Sequence, residues 1–209
     1  DMGIEIHQIY GLTETCGPAC MIDEENAIAK IGSTGKAFFH TDVRLAKSDG
    51  SNCAAGEAGE ILVRGPHVMV EYWNQPDATA ETVVDGWLHT GDIAIADEDG
   101  FIYIQDRIKD MIISGGENVY PAEIESVLMT HPEIVEAAVI GQSDEKWGES
   151  PFAIVVTTDD ALTADAVMKY CGTKLAGFKQ PKRVEFTDQI PRNPSGKILK
   201  RLLREQYAV

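Results

Sequence analysis

The strongest constraint on this chain is a change of pattern near its midpoint, at the polar run Asp106-Arg107-Ile108-Lys109-Asp110. Before this run, glycines punctuate short alternating stretches. After it, apolar strand-like runs alternate with helical ones. The change of texture, with polar residues separating two apolar strands, reads as a boundary between two units. Residues 1–106 read as a small antiparallel β unit, 107–110 as the connection, and 111–209 as an α+β domain.

In the first part, residues 37–47 read as one strand closed by the turn Ser48-Asp49-Gly50. Residues 59–63 read as another. Runs 93–96 and 101–105 flank Asp97-Glu98-Asp99-Gly100, a hairpin signal, and 76–83 read as a short helix. In the second part, 111–113 and 118–119 bracket a Gly115-Gly116 turn. Pro121 then takes a first helical position, with Glu123 and Glu125 in the opening turn. Ile124, Val127 and Leu128 give that helix its apolar face. The apolar run 134–140, ended by Gly141, predicts a buried strand, as do 152–157 and 184–186. Thr163 can cap a helix carrying Val167, Cys171 and Leu175, and 198–207 read as an amphipathic helix with Leu199, Leu202 and Leu203. Residues 1–6 read like a strand entered midway, as in a fragment of a longer protein.

Charge separates the parts further. The formal net charge is −16, yet residues 174–209 hold nine basic and three acidic side chains. The acidic bulk argues against nucleic acid as the main partner. The basic tail suits an anionic ligand such as a nucleotide; a solvated helix face explains the same charges. Four scattered cysteines, Cys16, Cys20, Cys53 and Cys171, complete no zinc set and point to reduced thiols in a cytoplasmic protein.

Four clusters carry candidate chemistry. In Tyr10-Gly11-Leu12-Thr13-Glu14-Thr15, Gly11 permits close backbone approach to a ligand. The hydroxyls of Thr13 and Thr15 can donate to phosphate, and Glu14 can hold a hard cation such as Mg²⁺. A capped turn after a strand is the plain alternative. In Gly86-Trp87-Leu88-His89-Thr90-Gly91-Asp92, a carboxylate at a strand start can accept from two ribose hydroxyls. A simple Thr-Gly-Asp turn fits equally. Around Ser114-Gly115-Gly116-Glu117-Asn118, two glycines leave a strip of bare backbone where a narrow arm such as pantetheine could lie; a ligand-free hairpin turn is the alternative. In Pro191-Arg192-Asn193-Pro194-Ser195-Gly196-Lys197-Ile198, a turn holds Lys197 ahead of a helix, where its charge can meet a developing anion. An ordinary surface lysine is the other reading.

In their order and spacing these clusters resemble the adenylate-forming superfamily of acyl- and aryl-CoA synthetases, luciferases and peptide-synthetase adenylation domains. The runs 106–125 and 190–199 are most similar to bacterial fatty-acyl-CoA synthetases. The resemblance covers essentially all 209 residues. It implies the β-rich end of a large AMP-binding N-terminal domain, then a mobile α+β C-terminal domain.

By that resemblance Tyr10 flanks the adenine, Thr13 binds the α-phosphate and Glu14 helps hold Mg²⁺. Asp92 takes the ribose hydroxyls with Arg107 assisting, Lys109 is the hinge residue, and Lys197 is the lysine of the adenylation step. Gly115 and Gly116 line the pantetheine path, and Trp147, in Trp147-Gly148-Glu149, approaches CoA. The implied activity is ATP-dependent activation of a fatty acid to acyl-AMP, then transfer to CoA with release of AMP and pyrophosphate. An aryl- or short-chain-acid ligase, a luciferase- or peptide-synthetase-like enzyme without CoA, and a non-catalytic nucleotide- or CoA-binding module are the competing readings. Lipid substrates would allow peripheral membrane association, although no amphipathic anchor is visible.

The superfamily's Gly/Ser/Thr-rich phosphate loop does not occur in these 209 residues. The chain alone is therefore expected not to catalyse adenylation. Incubation with ATP, Mg²⁺ and a fatty acid should release no pyrophosphate above background, and robust release would contradict the expectation.

Overall fold

The computed structural model describes residues 7–207, so the expected strand at 1–6 lies outside the described residues. Internal contacts divide the chain into two units, 1–108 and 109–209. Arg107 and Ile108, expected in the connection, thus fall with the first unit, and Lys109 and Asp110 with the second.

The first unit holds two antiparallel sheets. One has three strands in the order β1 (Ile9–Leu12), β2 (Gly17–Met21) and β3 (Lys36–Ala37). Short helix α1 (Glu24–Ala27), capped by Asp23, lies between β2 and β3. The other sheet has five strands: β4 (Asp42–Ala46), β5 (Ala58–Arg64), β6 (Val83–Val84), β7 (Trp87–Ala96) and β8 (Ile102–Arg107). Strand β7 pairs with β5 along one edge, while β6 and β8 share its other edge. Helix α2 (Pro76–Thr82) precedes β6, with Pro76 in its first turn. Ile61, Val63, Leu88, Ala94 and Ile102 form the core, joined by Tyr10, Ala19 and Cys20.

Two expectations fail here for backbone reasons. The run 37–47 is not one strand, because His40 takes a left-handed φ of +58° and interrupts the pleat between β3 and β4. Asp92 is not at a strand start but inside β7. Pairing jumps from Glu60↔Ile93 to Leu62↔His89, so Thr90, Gly91 and Asp92 face Ile61 alone. This bulge carries two extra residues, and Gly91 at its centre has φ +71°.

The second unit is built on the hairpin of β11 (Ile134–Asp144) and β12 (Gly148–Thr157), preceded by the hairpin β9 (Ile112–Ser114) and β10 (Glu117–Val119). Strand β13 (Arg183–Phe186) pairs parallel to β12, completing a five-stranded sheet. Helix α3 (Pro121–Leu128) and helix α4 (Ala164–Gly172), capped by the Thr163 side chain, complete one core with Ile124, Leu128, Val167 and Cys171 against Ala137, Val139, Ala153 and Val155. Alternate residues of the same hairpin, Ala138, Ile140, Phe152 and Ile154, form a second core with Ile190 and with Leu203 of α5 (Lys200–Tyr207). Both faces of the hairpin are therefore covered, which explains its apolar runs 137–141 and 151–156.

Strand β11 runs through Gly141 to Asp144 instead of ending at the glycine, because pairing with β12 continues to Asp144↔Gly148. Gly148, at φ +77°, closes the three-residue loop Glu145-Lys146-Trp147. Helix α4 ends before Leu175, which packs in the core beyond it, and α5 starts at Lys200, leaving Ile198 and Leu199 in the preceding loop. No helix among the described residues is long and apolar enough to cross a membrane.

Phe152 is 1% exposed and meets the Tyr207 ring edge-on at 5.5 Å. Phe152→Ala should cost the second unit about 3–5 kcal/mol. Urea melts followed by Trp147 emission should shift accordingly; an unmoved midpoint would remove the second core from the account.

Candidate nucleotide and lysine-loop sites

Asp92 is a buried carboxylate of the first unit, and the bulge determines its direction. Glu60 Oε1 accepts from the Gly91 N–H at 2.9 Å while Glu60 Oε2 lies 2.8 Å from His89 Nδ1. The Thr90 hydroxyl donates to Ile61 O and accepts from the Asp92 N–H. These bonds satisfy backbone groups that the interrupted ladder leaves open. The Asp92 side chain then meets Tyr10, whose hydroxyl donates to Oδ2 at 2.7 Å. Burial, opposed by a hydrogen bond with Thr90 and aided by the Asp92 charge, pushes the Tyr10 phenol well above its ordinary pKa, so it remains a donor.

Arg107 reaches Asp92 from β8, directly across the ladder. Its Nη2 donates to Thr90 O at 3.2 Å, and its Nε lies 3.0 Å from Asp92 Oδ1. That last approach is poorly aligned, and the buried Nε hydrogen has no acceptor. That donor is closed to solvent, so what the pair can offer a ligand is the remaining lone pairs of the Asp92 carboxylate, to which a hydroxyl can donate.

Tyr10 itself is 9% exposed and belongs to the core. It offers Asp92 a proton more than it offers a ligand an open ring face. Gly11 answers an internal need: a Cβ there would sit 2.3 Å from Gly17 O of β2. Thr15 is also redirected. Its hydroxyl accepts from the Leu12 N–H and lies within 2.9 Å of Leu12 O and 2.7 Å of Gly17 O, so it closes the turn instead of meeting phosphate. Thr13 stays exposed on the same one-turn 3₁₀ segment, Thr13–Thr15. Glu14 Oε1 accepts from the Tyr72 hydroxyl at 2.8 Å, a partner without a sequence signal.

In the second unit, Gly115 and Trp147 are brought together. The Gly115 N–H donates to Trp147 O at 2.8 Å, and a Cβ on Gly115 would lie 2.7 Å from the indole. The strip over Gly115 is therefore filled by Trp147, whereas Gly116 faces open space. Asp144 Oδ1 accepts from the Lys146 and Trp147 N–H groups, and Glu149 Oε2 from Ile113 N–H, fastening the hairpin tip to β9.

Lys109 is exposed, and its carbonyl accepts from Arg204 Nη2, which also pairs with Asp110 at 2.6 Å. Lys197 is exposed on a loop tied down at both ends. Arg192 pairs with Glu136 of β11 at 3.1 Å, and Lys200 with Glu125 of α3 at 2.7 Å. Glu136 stands near the start of β11 and the Trp147 turn follows its end. Eight residues of extended strand put roughly 25 Å between them.

Two family models match the chain: the AMP-binding enzyme model over residues 1–73 and the AMP-binding enzyme C-terminal domain over 123–197. The long-chain-fatty-acid–CoA ligase FadD13 of Mycobacterium tuberculosis is 51% identical over 98% of this chain and 41% of its own length. A 2-succinylbenzoate–CoA ligase of Bacillus cereus is 47% identical over 98% of this chain and 42% of its own. Among solved structures, o-succinylbenzoate CoA synthetase (MenE) of Bacillus subtilis with its acyl-adenylate intermediate superposes with a TM-score of 0.90 at 42% identity, covering 97% of this chain and 41% of that one. The same enzyme with ATP and magnesium gives 0.88, covering 95% and 41%. The chain thus spans about two-fifths of the length of the curated relatives it matches.

Gly115→Ala should displace the indole and add backbone strain of about 1–3 kcal/mol at φ +62°. Gly116→Ala, at φ +87° but in open space, should add strain only. Trp147 emission should therefore change in the first variant and not in the second; matching spectra would mean that the indole does not rest on Gly115.

Proposed function

The chain belongs to the AMP-binding enzyme family, and we propose that its protein is an acid–thiol ligase that activates a carboxylic acid with ATP and passes the acyl group to CoA. The observation that carries this reading is the Asp92–Arg107 pair, a carboxylate held beside a guanidinium and supported by Tyr10 and the Gly91 bulge. That pair suits the adjacent hydroxyls of a ribose. Lys197, exposed on an ordered loop of the other unit, supplies the cation that a reaction between two anions requires.

In the first half-reaction a carboxylate oxygen attacks the α-phosphorus and pyrophosphate leaves. Thr13 donates its hydroxyl to a phosphate oxygen, and Lys197 stabilises charge on the phosphoryl oxygens. Bound Mg²⁺ would neutralise phosphate charge. Glu14 offers it one oxygen, and no group of three or more acidic, His or Cys side chains lies together among the described residues, so water and the triphosphate would complete its shell. In the second half-reaction the CoA thiol attacks the acyl carbon and AMP leaves. Gly116 keeps a bare path for the pantetheine arm, with the Trp147 ring over Gly115 as its wall.

The separation of the Lys197 loop from the Gly115–Trp147 face supports a division of labour. Two patches roughly 25 Å apart along β11 cannot both serve one bound nucleotide in one placement. A rotation at Lys109 would exchange them between steps. As for substrate, the relatives named act on a long-chain fatty acid and on 2-succinylbenzoate. We favour a fatty acid, because FadD13 has the higher identity of the two, with the aryl acid as the second reading.

In the complete enzyme, Lys197→Ala should slow acyl-AMP formation by about a hundredfold or more while sparing thioester formation from supplied acyl-AMP. Pyrophosphate release and CoA-thiol consumption measure the two steps separately. Adenylation at the wild-type rate would sink the proposal. Initial rates across palmitate, acetate and 2-succinylbenzoate would assign the acid.

A further inference from the structure

The loop that carries Lys197 is shaped by a residue outside the catalytic roles assigned so far. Lys197 has both of its backbone polar groups bonded to Asn193. Its N–H donates to Asn193 Oδ1 at 2.8 Å, and its carbonyl accepts from the Asn193 N–H at 2.9 Å. The same Oδ1 accepts from the Ser195 N–H at 3.1 Å and the Ser195 hydroxyl at 2.8 Å. The Gly196 N–H donates to Asn193 O at 2.9 Å, and Gly196 takes φ +86° to permit this closure. Three donors from positions two and four residues ahead thus converge on one side-chain oxygen. Arg192, next in the chain, donates to Gly196 O at 2.6 Å from outside the loop.

The arrangement leaves Lys197 with a fixed Cα and an exposed side chain that has no ion-pair partner among the described residues. An exposed five-residue loop would otherwise sample many backbone states, and each ordered residue costs about 1–2 kcal/mol of conformational entropy. Meeting that cost before the substrates bind keeps it out of the activation barrier. Asn193 suits this task because a side-chain oxygen at this distance accepts several hydrogen bonds from the following backbone at once.

We propose that Asn193 is a positioning residue for Lys197, acting through its side-chain oxygen to present the ammonium for adenylation and not for thioester formation. This rests on the adenylation role of Lys197 proposed above. Because the loop is exposed, water replaces the lost acceptor in Asn193→Ala and folding should survive.

The test uses the complete enzyme and both half-reactions. Asn193→Ala should lower kcat for pyrophosphate release about tenfold to a hundredfold, with little change in KM for ATP and an unchanged rate of thioester formation from supplied acyl-AMP. Asn193→Asp, which keeps the acceptor oxygen, should recover most of the lost rate. Lys197→Ala serves as the control. If Lys197→Ala is impaired but Asn193→Ala adenylates like the wild type, the inference about Asn193 fails while the role of the lysine stands. Equal loss in both half-reactions, or no recovery with Asp, would also overturn it by marking a merely structural residue. If Lys197→Ala is itself unimpaired, the reading on which the inference rests is what fails.

Discussion

A carboxylate removed from water must find partners, and in the first unit Asp92 sets that requirement. The bulge in β7, the Glu60 side chain that ties it, the Thr90 hydroxyl and the Arg107 guanidinium are arranged to meet it. Tyr10 joins the two sheets of this unit through the same carboxylate, from 82 positions away in sequence. Only part of the demand is met internally. The Arg107 Nε hydrogen is poorly aligned on Asp92 Oδ1, and the carboxylate keeps lone pairs to which a hydroxyl-bearing ligand can donate.

The second unit solves a different problem, that of carrying two exposed features on one rigid member. Strands β11 and β12 are packed on both faces, which gives their hairpin a close-packed frame on each side. Its turn holds Trp147 against Gly115, and its far end holds the lysine loop through Glu136 and Arg192. Helix α5 serves both regions. Lys200 at its start pairs with Glu125, while Arg204 reaches Asp110 and the Lys109 carbonyl. The segment that follows the proposed pivot and the loop that bears the lysine are thus braced by one helix.

Much of the fold was legible where local chemistry is decisive. Pro121 opening α3, Thr163 capping α4 and the alternating runs of β5 and β8 follow from propensity and period. The misreadings share a cause. Gly141 looks like a strand end, but tertiary pairing carries β11 past it. Thr15 looks available to a ligand, but the turn it occupies consumes its hydroxyl. Gly11 and Gly115 look like open backbone, yet Gly17 O and the Trp147 ring fill the space beside them. The residues proposed for the site came from resemblance to a known motif order. The partners Glu60 and Tyr72 have no signature because their contacts with Gly91 and Glu14 span 31 and 58 positions in sequence. Asn193 did carry a local signal, an Asn-Pro-Ser-Gly turn, that points to a cradle only once Lys197 is seen within it.

The β7 bulge also limits how this protein can drift in length. Two residues of β5 span the same stretch as four of β7, Leu62↔His89 and Glu60↔Ile93 marking its ends, so the excess is even. Because strands alternate inside and outside, an even excess preserves parity: Leu88 and Ala94, on opposite sides of the bulge, both point inward. Loss or gain of a single residue there would turn one flank of the strand inside out, sending apolar groups to solvent. Insertions and deletions at this point are therefore quantised in pairs, and lineages that vary the segment should step over the odd lengths.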